Sequence, residues 1–287
     1  MTDTLLILAG GASSRMKKPS DVTLSAKWQK QANTESKALI QVNGRPMLDY
    51  ILYNAKKAGI TKIIIIIGPQ GDSFKAYYGA KMVNNDFHGL SISYAIQNIP
   101  EHRSKPLGTA DAVFQALEQY PTLQKTCFLV CNADNLYSTA VFRDLRKLSH
   151  NNALIAYDRD QLDFPMTRIA QFALLTIDQN DFLRAIIEKP ALDDLEKYKG
   201  PDGRFRVSMN IFKLDGNDCF RYLRDCPLHP IRQEKELPAV LTAMIKDTPT
   251  SVKAVYKAEH VPDLTAKDDI LTMNDYLSRH IGTLNWS

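Results

Sequence analysis

Near its start the chain reads Leu5-Leu6-Ile7-Leu8-Ala9-Gly10-Gly11-Ala12-Ser13-Ser14-Arg15-Met16. The opening apolar run is long enough for a buried strand and far too short for a membrane span. It breaks at Gly10 and Gly11, where the missing Cβ lets a backbone turn and approach a ligand closely. The N–H groups that follow, with the hydroxyls of Ser13 and Ser14, can face phosphate oxygens. Arg15 adds a fixed cationic fork. The stretch Ala9 to Arg15 therefore reads as a loop for the phosphates of a nucleotide. Two common phosphate loops do not fit it. No Lys-Ser or Lys-Thr follows at the spacing of a Walker loop, and adjacent glycines without a third do not make a dinucleotide fingerprint.

Working outward, strand signals at 4–9, 63–67, 90–96 and 126–130 alternate with helix signals at 46–58, 73–80 and 109–119. The run Ile63 to Ile67 is apolar and β-branched throughout, as in a strand buried on both faces. The alternation predicts an α/β fold with a doubly wound, mostly parallel, Rossmann-like sheet, whose ligands bind at the carboxyl ends of the strands. Gly10 and Gln97 each follow a predicted strand, and Asp134 lies four residues beyond Val130. The second half changes character. Strands are predicted at 153–157, 168–176, 183–188, 205–214 and 251–256, and helices at 216–225, 235–246 and 266–280. This half reads as an inserted or appended β-rich lobe for a second substrate. Residues 17–36 are polar and basic with little periodicity, which predicts a long loop and a candidate lid.

The chain has 287 residues, 44% of them hydrophobic, and a net charge of +4. That is enough for one large α/β domain, and the mildly basic balance suits a small anionic substrate. Its cations are scattered, which excludes a nucleic-acid footprint. The cysteines Cys127, Cys131, Cys219 and Cys226 form no C-x-x-C pair and no metal-ligand spacing with histidine. Cys127 and Cys131 lie at even spacing in an apolar run, which suits core packing. There is neither a signal-peptide pattern nor a transmembrane stretch, so a cytoplasmic protein is expected.

The opening loop resembles the signature L-A-G-G-x-G-T-R of the sugar-1-phosphate nucleotidyltransferases, with Ala12-Ser13-Ser14 in place of x-G-T. Since serine is less permissive than the family's glycine, Ser13 is expected in an ordinary backbone conformation. Further segments carry the resemblance. Lys37-Ala-Leu-Ile-Gln-Val-Asn-Gly-Arg-Pro46-Met is similar to the family's K-x-L-x-x-V-x-x-[KR]-P-[ML], although the gap from Arg15 to Lys37 is longer than usual. Pro106-Leu107-Gly108-Thr109-Ala110 matches L-G-T-A, Val130-Cys-Asn-Ala133-Asp134-Asn resembles [LV]-x-G-D-[ND], and Ile187-Glu188-Lys189-Pro190 matches V-E-K-P. Val207 to Phe212 resembles N-A-G-I-Y, and Val261-Pro-Asp263-Leu-Thr-Ala resembles the late W-x-D-[IV]-G-T segment.

The resemblance implies one domain over 1–287, with a nucleotide-binding half at 1–150 and a sugar-phosphate half at 151–287. It implies that Ala9, Gly10, Gly11, Ser13 and Ser14 hold the nucleotide, with Gln97, Gly108 and Thr109 at the base. An amide both donates and accepts, which suits a uracil or thymine edge and favours UTP or dTTP. Thr109 also reads as the N-cap of the following helix. Arg15, Lys37 and Lys189 become the catalytic phosphate contacts, Glu188 and Asn210 the sugar contacts, and Asp134 and Asp263 the ligands of Mg²⁺. The implied reaction condenses a nucleoside triphosphate with a sugar-1-phosphate, releasing pyrophosphate. Nucleic-acid and membrane partners are not expected, and self-association into a homo-oligomer is compatible with the sequence. Two alternatives stay open: a catalytically silent regulatory subunit that binds a nucleotide-sugar, and nucleotidyl transfer to a non-sugar phosphate acceptor.

Overall fold

The computed structural model describes residues 1–188, 196–200 and 202–286. The chain forms two compact units, each drawn from separate stretches of sequence. One contains Asp3–Pro106, Cys131–Phe142 and Pro262–Ser287; the other contains Met1–Thr2, Leu107–Val130 and Arg143–Val261.

The first unit is built on a parallel sheet. Thr4–Leu8 pairs in parallel with Lys62–Ile67, with Leu6 opposite Ile64, and Lys62–Ile67 pairs in parallel with Leu90–Ile96. Asn85–Phe87 closes the edge in the antiparallel sense. Leu5, Leu6 and Ile7 and all five isoleucines from Ile63 to Ile67 are buried, as expected of strands covered on both faces. Helix Met47–Lys57 lies between the first two of these strands in sequence, with Asp49 in its first turn and Lys56 and Lys57 in its last, as the helix dipole favours.

Residues 17–36 are not one long loop. Ala26–Thr34 is a helix: the Ser25 hydroxyl caps it by accepting the N–H of Trp28 at 3.3 Å. The indole of Trp28 donates to the carbonyl of Gln41 at 2.6 Å, and Ala32 is fully buried. Only Ala32 is buried on this helix, so the sequence has no apolar stripe to reveal it.

The second unit centres on Asn152–Asp158, buried along its whole length. This strand pairs in parallel with Val252–Lys257 and antiparallel with Ile211–Asp215 and Arg206–Val207. Leu174–Ile177 pairs with Arg206–Val207, and Leu183–Ile187 pairs with Leu174–Ile177, both antiparallel. Two predicted strands are interrupted. The stretch 168–176 becomes helix Met166–Ile169 followed by strand Leu174–Ile177, the proline at 165 occupying the N-cap. The stretch 205–214 breaks at Asn210, whose φ of 57° is incompatible with a continuing strand. Among the described residues no helix is long and apolar enough to cross a membrane.

Candidate active site

In the first unit, residues from four parts of the chain meet beyond the carboxyl ends of the parallel strands. The strand Thr4–Leu8 ends where the Ala9 N–H donates to the Ile66 carbonyl at 2.9 Å. Gly10 then lies against Gln97, the residue after strand Leu90–Ile96: a Cβ on Gly10 would come within 3.2 Å of Gln97 Oε1. Gln97 is buried, and its own N–H donates to the Ile67 carbonyl at 2.8 Å. Gly11 is exposed, and a Cβ there would meet nothing within 4 Å. The open side of the loop is thus at Gly11 and the crowded side at Gly10.

Ser13 corrects the sequence expectation. Its φ is 51°, in the left-handed region, whereas neither Gly10 nor Gly11 has a positive φ. The sharp turn is made at the position where the resembling family has glycine, and serine adopts that conformation at a cost of roughly 1–2 kcal/mol. The buried Ser13 hydroxyl accepts the backbone N–H of Lys37 at 3.3 Å, so it ties the loop to the segment that carries the lysine. Ser14 and Arg15 are exposed on the turn that follows, and Met16, fully buried, anchors it.

Lys37 begins the short 3₁₀ turn Lys37–Leu39, and its ammonium forms an ion pair with the carboxylate of Asp134. Both side chains are mostly buried, with exposures of 18% and 17%. The Asp134 segment is fixed on both sides. The Ala133 N–H donates to the Leu8 carbonyl at 3.2 Å, and the Leu264 N–H donates to the Asp134 carbonyl at 2.8 Å. Asn135 and Asp263 form an isolated antiparallel bridge, which brings the two aspartates implied as metal ligands onto adjacent backbones. The Thr265 hydroxyl donates to Asp263 Oδ1 at 2.5 Å and orients that carboxylate. Two carboxylates from facing segments are the hard oxygen donors that a divalent cation takes, and the residues present fit one.

The remaining predicted residues belong to the second unit. Gly108, at φ 109°, occupies the N-cap of helix Thr109–Gln119, and a Cβ there would lie 2.4 Å from the Lys235 carbonyl oxygen. Thr109 is therefore the first helical residue and not the cap. Its hydroxyl accepts the Leu237 N–H at 3.0 Å, at the start of another helix, Leu237–Asp247. Glu188 pairs with Arg232 at 2.6 Å, and Arg232 is also held by Glu236. Asn210 is exposed at its left-handed kink. Lys189 lies outside the described residues.

Burial pushes Cys127 up to about 11, and raises Cys131, Cys219 and Cys226 as well. All four are unpaired by disulfides.

What the sequence missed is the support around the acids. The Ser20 hydroxyl donates to the carboxylate of Asp268, and the Asp269 carboxylate accepts the N–H groups of Thr265 and Ala266 at 2.8 and 2.7 Å. A threonine two residues after Asp263 and an acid at the head of the last helix were the available signals.

A parallel sheet with a glycine loop, a lysine and a pair of aspartates beyond its carboxyl edge is the α/β class whose ligands bind at that edge. Residues 5–207 match the MobA-like NTP transferase domain, and the chain belongs to that family. The bifunctional protein GlmU of Staphylococcus epidermidis is 26% identical over 270 residues, which cover 94% of this chain and 51% of GlmU. Glucose-1-phosphate adenylyltransferase of Novosphingobium aromaticivorans is 25% identical over 230 residues, 78% of this chain and 50% of that protein. The chain thus spans about half the length of the curated relatives it matches. A solved structure of UDP-glucose pyrophosphorylase complexed with UDP-glucose shares the fold, with a TM-score of 0.71 over 97% of this chain and 99% of that one, at 14% identity.

Proposed function

We propose that the protein is a nucleotidyltransferase that condenses a nucleoside triphosphate with a sugar-1-phosphate, giving a nucleotide-sugar and pyrophosphate. The observation that carries this reading is the meeting of Lys37, Asp134 and Asp263 beside the Gly10 loop, at the carboxyl edge of a parallel sheet. An oxygen of the sugar phosphate attacks the α-phosphorus, the bond between that phosphorus and the bridging oxygen to the β-phosphorus breaks, and pyrophosphate leaves with the electron pair. No protein nucleophile is needed, so the site works by positioning and charge neutralisation. Lys37 and Arg15 face the phosphates, while the Ser13 hydroxyl holds the Lys37 backbone in place. Mg²⁺ held by Asp134 and Asp263 supplies further neutralisation of phosphate charge when bound.

Gln97, buried against Gly10, is the base-reading group of this proposal, and its two-way amide favours UTP or dTTP. Within the second unit, Glu188, Lys189 and Asn210 are the residues of this proposal for the sugar phosphate. The relatives that match include a glucose-1-phosphate adenylyltransferase, which supports a sugar-1-phosphate as acceptor. The cysteines, all without disulfides, suit a cytoplasmic setting.

The test is pyrophosphate release. The pure protein is incubated with Mg²⁺, each of UTP, dTTP, GTP, ATP and CTP, and a panel of sugar-1-phosphates. Release that requires one triphosphate and one sugar together, and that is lost in Asp134→Ala, is the expected result. No release with any pair, together with tight binding of a nucleotide-sugar, would replace this reading with a regulatory subunit.

A further inference from the structure

At the amino ends of Asn152–Asp158 and Val252–Lys257 the second unit has a cavity of about 570 Å³, open to solvent. Its other walls are helix Gly216–Arg224 and the end of helix Leu237–Asp247. Small-molecule sites usually measure roughly 300–1,000 Å³, so the volume is that of a ligand site. In open α/β sheets the reaction's ligands bind at the carboxyl ends of the strands, the opposite end from this one. None of the residues proposed for the reaction lines the cavity.

The polar groups of the wall are held in place. Asn152 is 1% exposed; its amide donates to Asp218 Oδ2 at 2.8 Å, and its Oδ1 accepts the Asp215 N–H at 2.8 Å. The Asn151 amide donates to the same Asp218 oxygen at 3.3 Å. Two amides thus fix an otherwise exposed carboxylate, which lowers the ordering cost of a ligand that bonds it. The Tyr222 hydroxyl donates to Asp247 at 2.9 Å, and Arg221 donates to both. His150 Nε2 lies 3.2 Å from the Ser251 carbonyl, which can only accept, so the neutral ring carries its proton there and has its acceptor at Nδ1. Among the described residues the hydroxyls of Ser149 and Thr248 have no hydrogen-bond partner, and neither has the buried hydroxyl of Ser251. The wall therefore holds unmet donors and acceptors side by side.

This chemistry narrows the ligand. Asp218 is the one carboxylate in the wall among the described residues, too few for a divalent cation. Arg221 is already paired with Asp247 at 3.3 Å, and Asp218 beside it repels an anion, which disfavours a phosphate. Met244 is the one aliphatic side chain in the wall among the described residues and is 1% exposed, so an apolar molecule gains little. What remains is a neutral molecule that donates and accepts along its whole surface. We propose that the cavity is a second small-molecule site of the protein, taking a neutral mono- or disaccharide whose hydroxyls bond Asp218, Ser149 and Thr248. The proposal does not rest on the nucleotidyltransferase reading.

Saturation-transfer NMR on the full chain tests it, with D-glucose, D-galactose and maltose as probes. At least one sugar saturates with a dissociation constant of about millimolar, as expected of a small polar ligand. Asp218→Ala weakens that sugar by about tenfold, the weight of a hydrogen bond to a charged group, and Thr248→Val by about threefold, that of a neutral one. Both side chains are exposed, so the variants melt with the unaltered protein; should Asp218→Ala melt lower, Thr248→Val alone decides. Excess glucose 1-phosphate leaves the signal unchanged. The proposal is overturned if none of the three sugars gives a signal, or if the variants bind as tightly as the unaltered protein. Displacement by glucose 1-phosphate also overturns it, because the sugar then occupies the acceptor site. Failure of pyrophosphate release with sugar binding intact would reject the enzymatic reading and leave this one standing.

Discussion

Lys37 and Asp134, 97 residues apart in the chain, form an ion pair in which the group implied for the triphosphate neutralises the group implied for the metal. The two are each other's partner, so the proposed phosphate contact of Lys37 and metal contact of Asp134 both compete with this pair. Two effects follow. Replacing Lys37 by Met lowers kcat/KM by about 10²–10³, the usual cost of removing one preorganised charge from a phosphate site. The same variant binds Mn²⁺ more tightly in the absence of nucleotide, since Asp134 no longer has a competing cation. Paramagnetic resonance of free Mn²⁺ measures this directly; an unchanged or weaker Mn²⁺ affinity would show that the pair does not compete with metal.

Ser13 carries two opposed contributions. Its left-handed backbone is a cost, and its hydroxyl bond to the Lys37 N–H offsets part of it. Ser13→Ala keeps the cost and loses the bond, so it destabilises by about 1 kcal/mol in urea denaturation. Ser13→Gly loses the bond but relieves the backbone, and stays within roughly 1 kcal/mol of the unaltered protein. If alanine proves as well tolerated as glycine, the hydroxyl has no role in holding Lys37.

Gly10 has no room to spare on the side of Gln97. A Cβ at 3.2 Å from Oε1 forces the amide to shift by a few tenths of an ångström, which misaligns the proposed base contact. Gly10→Ala therefore raises KM for the preferred triphosphate and narrows the preference among bases, with little change in melting temperature. Gly11→Ala meets no protein atom, and any loss it causes comes from the bound phosphates. Equal preference for all bases in the unaltered protein would count against Gln97 as the reader.

Asp49 supplies a pH-dependent contribution to stability. It is buried, accepts the Tyr78 hydroxyl at 2.9 Å and lies 3.5 Å from Arg45. Burial outweighs these partners and the nearby His88, and holds its carboxyl above the ordinary value of 3.8. A raised value in the folded state favours the protonated form, so this contribution is full below pH 3.8 and is lost as pH rises through the raised value. Asp49→Asn removes that titration while keeping an acceptor for Tyr78. Thermal melts from pH 3 to 7 should show the variant gaining on the unaltered protein as pH rises, and a difference that is flat with pH would refute the assignment.

Much of the architecture was legible locally. The runs Leu5 to Ala9 and Ile63 to Ile67 read as buried parallel strands because strands covered on both faces must be apolar throughout. Leu90–Ile96 and Thr109–Gln119 fall where the pattern puts them. The short helix Ala26–Thr34 was hidden, since it is held by Trp28 and Ala32 and lacks an apolar stripe. The single strand read over 205–214 failed at Asn210, because periodicity does not report a residue in the left-handed region.

The site divides along the same line. Sequence alone determined which residue types stand at the carboxyl ends of the strands: Gly10, Gln97 and Asp134 follow apolar runs, and strand polarity then dictates the edge. The tertiary structure decided the rest. It set Lys37 on Asp134, put Asp263 beside Asn135, and gave the turn to Ser13 rather than to a glycine. The reason is physical: burial on a strand or helix face is written in neighbouring residues, whereas compensation of a charge depends on what the chain brings back from a hundred residues away.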